Sequence, residues 1–198
     1  MPNEVPTRKL MGGGLSSALR ELDDSAYEAA ADGDDERLTE LLGKGADPNH
    51  MVDEKKTPLM ASAQEGAHEC MRILLAHKNI EVNRADKWGM TALHLACHWG
   101  YAGCVEMLLA AGADAGHRAK GGTTAAHTAA ARDNLHCLRV LLGPSGGVDR
   151  AGVDLADARD GEGKTPYDAA CEMHSDGCIE FLEARSDLHG VGLGEPTV

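Results

Sequence analysis

The amino-acid sequence predicts an all-α solenoid of stacked helix pairs, and three observations carry that prediction. The first is a repeat. The frame that opens at Thr91 (TALHLACHWGYAGCVEMLLAAGADA) restarts at Thr57, Thr124 and Thr165 and more faintly at Asp24, at spacings of 33, 34, 33 and 41 residues. A period of roughly 20–50 residues marks supersecondary units that bury their faces only by stacking. The second is that every copy starts with a helix-capping residue and turns about nine positions later. The third is composition: only 3% of residues are aromatic, so the core must be built from Leu, Ala, Val, Ile and Met, which suits small helices packed closely.

Along the chain, residues 1–23 read as a flexible leader that contains one short capping helix. Leu15, Ala18, Leu19 and Leu22 follow the i, i+3, i+4, i+7 spacing of a helix face. Gly12, Gly13 and Gly14 are no phosphate cradle, because no strand precedes them and no Gly-Lys-Ser/Thr follows. The repeats occupy 24–186, with units starting near 24, 57, 91, 124 and 165. Thr91 is placed to accept from the free N–H groups of a helix start. Pro58 and Pro166 follow Thr57 and Thr165 at the first helical position, where a missing N–H costs nothing. Each first helix should end at a left-handed residue: Gly33, Gly66 and Gly100, with Asp133 and His174 as the non-glycine equivalents. Second helices then carry the apolar triads Met71, Leu74, Leu75; Val105, Leu108, Leu109; and Leu138, Leu141, Leu142.

Terminal units of a solenoid need a polar outer face. The first copy accordingly has Arg37 where the other four have Cys70, Cys104, Cys137 and Cys178, and the last has Glu183 where interior copies have their second leucine. The 41-residue step reflects a Gly/Pro-rich loop insertion at about 143–154, and residues 187–198 read as a flexible tail.

The motifs TPLM, TALH, TAAH and TPYD, with GADPN at 45–49 and GADAG at 112–116, resemble ankyrin repeats over about residues 24–186. That resemblance implies an L-shaped unit: a helix hairpin with a β-turn finger projecting from its base. It implies that His94 and His127 hydrogen-bond to neighbouring turns. Lys55 stands where the other fingers have Gly89, Gly122 and Gly163, so the finger entering the second unit is expected to be distorted. Asn49 lies in a segment resembling one hydroxylated in animal ankyrin proteins, and the plainer reading is a loop-stabilising asparagine.

Six cysteines and ten histidines raise the question of metal. The cysteine ladder has one thiol per unit at the spacing of packed helices, ~8–10 Å. Zinc–sulfur bonds of ~2.3 Å cannot bridge such a pitch. No nucleophile elbow, HExxH or paired-carboxylate spacing is present. No enzyme, cofactor or metal is therefore expected. A net charge of −13 works against phosphate backbones, and no apolar run is long enough to span a membrane. The N-terminal stretch lacks a signal peptide's apolar segment, so the expected address is cytoplasmic or nuclear.

These readings predict a non-catalytic scaffold or adaptor, monomeric when free, that binds a partner protein, neither nucleic acid nor membrane. The alternative is a thiol-responsive regulator using Cys97/Cys104 or Cys171/Cys178. In ankyrin proteins the partner groove is lined by the ends of the first helices and by the finger tips. Carried onto this chain, the resemblance implies Gln64, Glu65, His98, Trp99, Arg132 and Met173 on helices, and Lys87, Trp88, Met90, Lys120 and Thr123 on fingers. Both tryptophans of the chain fall in this set. A competing reading has them covering the helix–finger angle of their own unit.

Overall fold

The computed structural model describes residues 13–143 and 154–189; the expected leader up to Gly12, most of the inserted loop and the tail beyond His189 lie outside them. Among the described residues there are ten α-helices: α1 (Gly13–Asp32), α2 (Asp35–Gly43), α3 (Pro58–Glu65), α4 (His68–Leu75), α5 (Ala92–Trp99), α6 (Ala102–Ala110), α7 (Ala125–Ala131), α8 (Leu135–Leu141), α9 (Pro166–Met173) and α10 (Asp176–His189). They pair in order as five hairpins. The odd-numbered helices pack in one row and the even-numbered helices in a second.

Two ends differ from expectation. The chain makes no break between a capping helix and a first unit at Asp24; α1 runs through 20 residues, since LSSALRELDDSAYEAAAD contains no Gly or Pro to stop it. Likewise α10 continues through Asp187 to His189, into the segment read as tail.

Helix starts and stops have local causes. Thr57 Oγ1 accepts from Met60 N at 3.3 Å, and Thr165 does the same for Asp168. Gly33, Gly66 and Gly100 are left-handed with φ of 74°, 69° and 85°, and Asp133 and His174 adopt 54° and 55° at the same place. Glycine serves a second purpose here. A Cβ on Gly66 would lie 2.6 Å from the Tyr101 ring, and one on Gly100 would lie 2.7 Å from Asn134 Oδ1. The next hairpin presses directly against each turn.

Met71, Leu74, Val105, Leu108, Leu138 and Leu141 are completely buried, each contributing ~1.5–3 kcal/mol on leaving water. Small residues carry the other row: Ala29, Ala63, Ala96, Ala129, Ala130 and Ala170 are at 0% exposure, which lets the first helices approach closely. Thiols add a cross-unit contact, since Sγ of Cys70, Cys137 and Cys178 donates to the carbonyls of Ala29, Ala96 and Ala129, each at 3.9 Å. At the polar ends Arg37 pairs with Glu28 at 3.3 Å, and Tyr167 donates to Glu183 at 3.0 Å.

Four fingers link the units. Each closes with a backbone pair, such as Asp86 N to Met90 O at 2.9 Å and Ala119 N to Thr123 O at 2.9 Å. Successive fingers are joined by one backbone bond: Lys87 N to Glu54 O, Lys120 N to Trp88 O, and Gly161 N to Gly121 O. The finger at Lys55 is retained, with closing bonds from Val52 N to Lys56 O and Lys55 N to Val52 O. Its distortion is a matter of strain, because Lys55 (φ 64°) and Glu54 (φ 62°) are both left-handed. The Gly121-Gly122 finger shares that doubled turn, at 86° and 78°. The cause lies two residues before the doubled turn. Asp86 Oδ1 accepts from Trp88 N and Met90 N, and Asp160 Oδ1 accepts from Glu162 N and Lys164 N. Val52 and Ala119 stand at that position in the doubled fingers and offer no such acceptor.

Candidate functional site

Because every first helix ends beside the finger of its own unit, the helix ends and finger tips make one concave surface. A groove of about 790 Å³ lies there. Of the predicted residues it is lined by Gln64, Trp88, Met90, His98, Trp99, Lys120, Thr123, Arg132 and Met173. Lys87 and Glu65 are outside its lining. Lys87 sits at the finger tips, where its Nζ is paired with Glu54 and lies 4.2 Å from the Trp88 ring centroid. Glu65 is exposed at the end of α3 and accepts from Gln64 Nε2 at 2.8 Å.

Among the described residues the large exposed hydrophobics are Trp88 at 41%, Trp99 at 53% and Met173 at 59%, all in this groove. Trp99 meets the His98 ring edge-on, with centroids 5.2 Å apart, and both occupy the last turn of α5.

The floor is polar and rigid. His94 Nδ1 accepts from Thr91 N at 3.4 Å, which leaves the proton on Nε2 to donate to Thr123 O of the next finger at 3.3 Å. His127 repeats the arrangement with Thr124 N at 3.3 Å and Lys164 O at 2.9 Å. Burial pushes the His94 imidazole down to about 4, and burial also lowers His127. Both are neutral connectors. In the last unit Asp168 takes this place and bonds only within its own cap, to Thr165 N at 2.8 Å. Sequence reasoning gave His94 and His127 structural roles, and at 0% and 2% exposure they sit beneath the groove as connectors and not as open surface.

Charges in the groove fall into two groups. Lys164 is matched by Glu162 at 2.7 Å and Glu172 at 2.6 Å, which together hold its ammonium pKa above the usual lysine range. Lys56, outside that lining, donates to Gln64 at 3.4 Å. By contrast, Lys120 and Arg132 are exposed and have no ion pair or hydrogen-bond partner for their side chains among the described residues. Burial, with the Arg132 charge beside it, lowers the His98 pKa.

The thiols offer no chemistry of comparable definition. Five are buried and Cys171 is half-exposed, and all are unpaired. The structure sets Cys97 beside Cys137 of the following unit, a pairing absent from the Cys97/Cys104 expectation. Helices of successive hairpins pack as closely as those within one, so a neighbour in sequence is not favoured. Burial pushes Cys70 and Cys104 up to about 11 and Cys178 to about 12, and a protonated thiol is a poor nucleophile. Among the described residues no group of three or more His, Cys, Asp or Glu side chains converges to hold a metal ion, and no helix is long and apolar enough to cross a membrane.

Asn49 is buried, donating to Asn79 O at 2.7 Å and accepting from Glu81 N at 2.8 Å. Asn83 repeats this with Gly112 O at 3.2 Å and Asp114 N at 2.8 Å.

Comparison with known proteins agrees with this architecture. A family model described as ankyrin repeats (3 copies) matches residues 26–119 and 104–189. The chain is 33% identical over 144 residues to the human BCL-6 corepressor-like protein 1, covering 72% of this chain and 8% of that protein. It is 32% identical over 137 residues to the human SH3 and multiple ankyrin repeat domains protein 2, covering 68% of this chain and 7% of that one. A 102-residue match at 32% identity to the human transient receptor potential cation channel subfamily A member 1 covers 52% of this chain. The chain spans under a tenth of each of these relatives. With registered units, caps and fingers along its length and a family model matching most of it, the chain belongs to the ankyrin-repeat family.

Proposed function

We propose that the protein is a non-catalytic protein–protein interaction module that holds a segment of a partner protein in its concave groove. Ankyrin repeats generally bind other proteins, and the observation that carries the reading here is the gathering of Trp88, Trp99 and Met173, all exposed, on that one surface. Interface hot spots are enriched in Trp, Tyr and Arg, each costing ~2 kcal/mol or more on truncation. Rigid finger and histidine bonds around the groove reduce the ordering cost of binding. A cytoplasmic or nuclear setting and a monomeric free state accompany this proposal.

The test uses peptides selected from a random phage-displayed library on the intact protein. Trp99→Ala should weaken their binding about tenfold or more and leave the melting temperature nearly unchanged, with Trp88→Ala acting similarly. Lys44→Ala is the silent control, since Lys44 is exposed and pairs only with Glu40 on α2 at 2.6 Å. A structural tryptophan would instead cost ~3–5 kcal/mol of folding. That outcome, with binding otherwise intact, would end the groove assignment.

A further inference from the structure

We infer that the groove selects an extended peptide segment in which an aspartate or glutamate side chain is flanked by a bulky apolar residue, the carboxylate lying between Lys120 and Arg132 and the apolar residue against Trp88 and Trp99. The inference rests on the groove reading above and specifies its ligand. Its basis is the contrast between cations of the groove and the adjoining finger tips that are matched within the protein and those that are not. Lys164 is satisfied by two glutamates, and Lys87 by Glu54. Lys120 and Arg132 lack such partners among the described residues, in a chain whose net charge is −13. Long cations held on a surface surrounded by acids would ordinarily be matched by them; here they remain available.

Placement makes the pair usable. The Lys120 backbone N–H is bonded to Trp88 O at 2.9 Å, which fixes Lys120 one finger along from the first indole. Arg132 caps α7, and the adjoining Asn134 donates to Cys97 O at 2.7 Å and His98 O at 3.0 Å, which ties that cap to the end of α5 that carries Trp99. Each cation is therefore tied through the backbone to the segment that carries one exposed indole, and all four residues line the same groove. Guanidinium and ammonium groups accept carboxylates with charge-assisted bonds, and the indole faces accept apolar side chains. The lowered pKa of His98 leaves it uncharged near neutrality, so the site's positive charge comes from Lys120 and Arg132. A nucleic acid would face the same cations but also the glutamates that flank them and the overall negative field.

Selection of random displayed peptides on the wild-type protein should enrich sequences with Asp or Glu next to Trp, Phe, Leu or Met. Synthetic copies of an enriched peptide, bearing Glu, Gln, Lys or phosphoserine at the acidic position, are then titrated by fluorescence anisotropy. The Glu form should bind about tenfold tighter than the Gln form, and that advantage should vanish in the Lys120→Glu/Arg132→Glu double variant, which should prefer the Lys form. Enrichment of basic or uncharged peptides, or tighter binding of the phosphoserine form, overturns the carboxylate assignment. If Trp99→Ala abolishes binding while the double charge variant leaves Glu/Gln discrimination intact, this inference fails and the groove reading stands. If enriched peptides bind the Trp99→Ala variant undiminished, the groove reading itself fails.

Discussion

Acid should loosen this protein through His94, and the size of the effect follows from its surroundings. The imidazole is fully buried, bonded through both nitrogens, and held near a pKa of about 4 by burial. Unfolded, it titrates near 6.5. Since the folded value is the lower one, the unfolded chain takes up the proton first. Stability is complete above 6.5 and is lost as the pH falls towards 4. At about pH 5 the unfolded histidine is almost wholly charged and the folded one almost wholly neutral, which amounts to ~2 kcal/mol from His94. His127, shifted in the same direction, adds to the loss. A His94→Met variant isolates the contribution, because Met60 fills the equivalent position of the second unit at 1% exposure. Removing the ring strands Thr91 N and leaves Thr123 O with its bond from Ala119 N alone, so the variant should be ~1–3 kcal/mol less stable near neutrality. Its further loss on acidification should be smaller than that of the wild type by those ~2 kcal/mol. Urea denaturation followed by far-UV circular dichroism at several pH values measures both terms. Parallel stability profiles for the two proteins would refute the reasoning.

Three other outcomes are expected. Lys55→Gly should raise stability by ~1 kcal/mol, because a left-handed non-glycine costs ~1–2 kcal/mol and the added chain freedom of glycine offsets part of that; thermal melts compare it with wild type. Gly122→Ala should cost ~2 kcal/mol or more, since its Cβ would lie 2.7 Å from Gly161 N and disturb the bond from that N–H to Gly121 O. Urea titration checks it. In native buffer an aromatic disulfide reagent should modify one thiol quickly, and Cys171→Ser should remove that phase, because the other five cysteines are buried.

How much was legible depended on whether a feature was local. Thr-Pro starts, left-handed stops and the substitution of Asp133 and His174 for glycine can be read from a few adjacent residues, and the helices begin and end where those residues stand. The continuity of α1 was readable too, from the lack of any breaker, but the faint repeat at Asp24 suggested a boundary that the backbone does not need. Features that join units were harder. Nothing in the spacing placed Cys97 beside Cys137, and nothing distinguished the paired Lys164 from the unpaired Lys120, since those relations depend on side chains meeting across separate hairpins. For the groove, the inherited offsets named residues that now line one surface, along with Lys87 and Glu65, which lie beyond it. His94 and His127, at 0% and 2% exposure, lie beneath the groove as connectors to the next finger, the role their motif implied.

The stack is fastened on different sides along its length. Asn49 and Asn83 tie the first three hairpins together through the loops that follow the second helices. His94 and His127 tie the last three through the finger bases, beneath the groove. The finger bond from Lys87 N to Glu54 O joins the groove side of the first half as well, so what the second half adds is a set of histidine bonds reaching across from helix to finger. Trp88 and Trp99 belong to the hairpin where the asparagine ties end and the histidine ties begin.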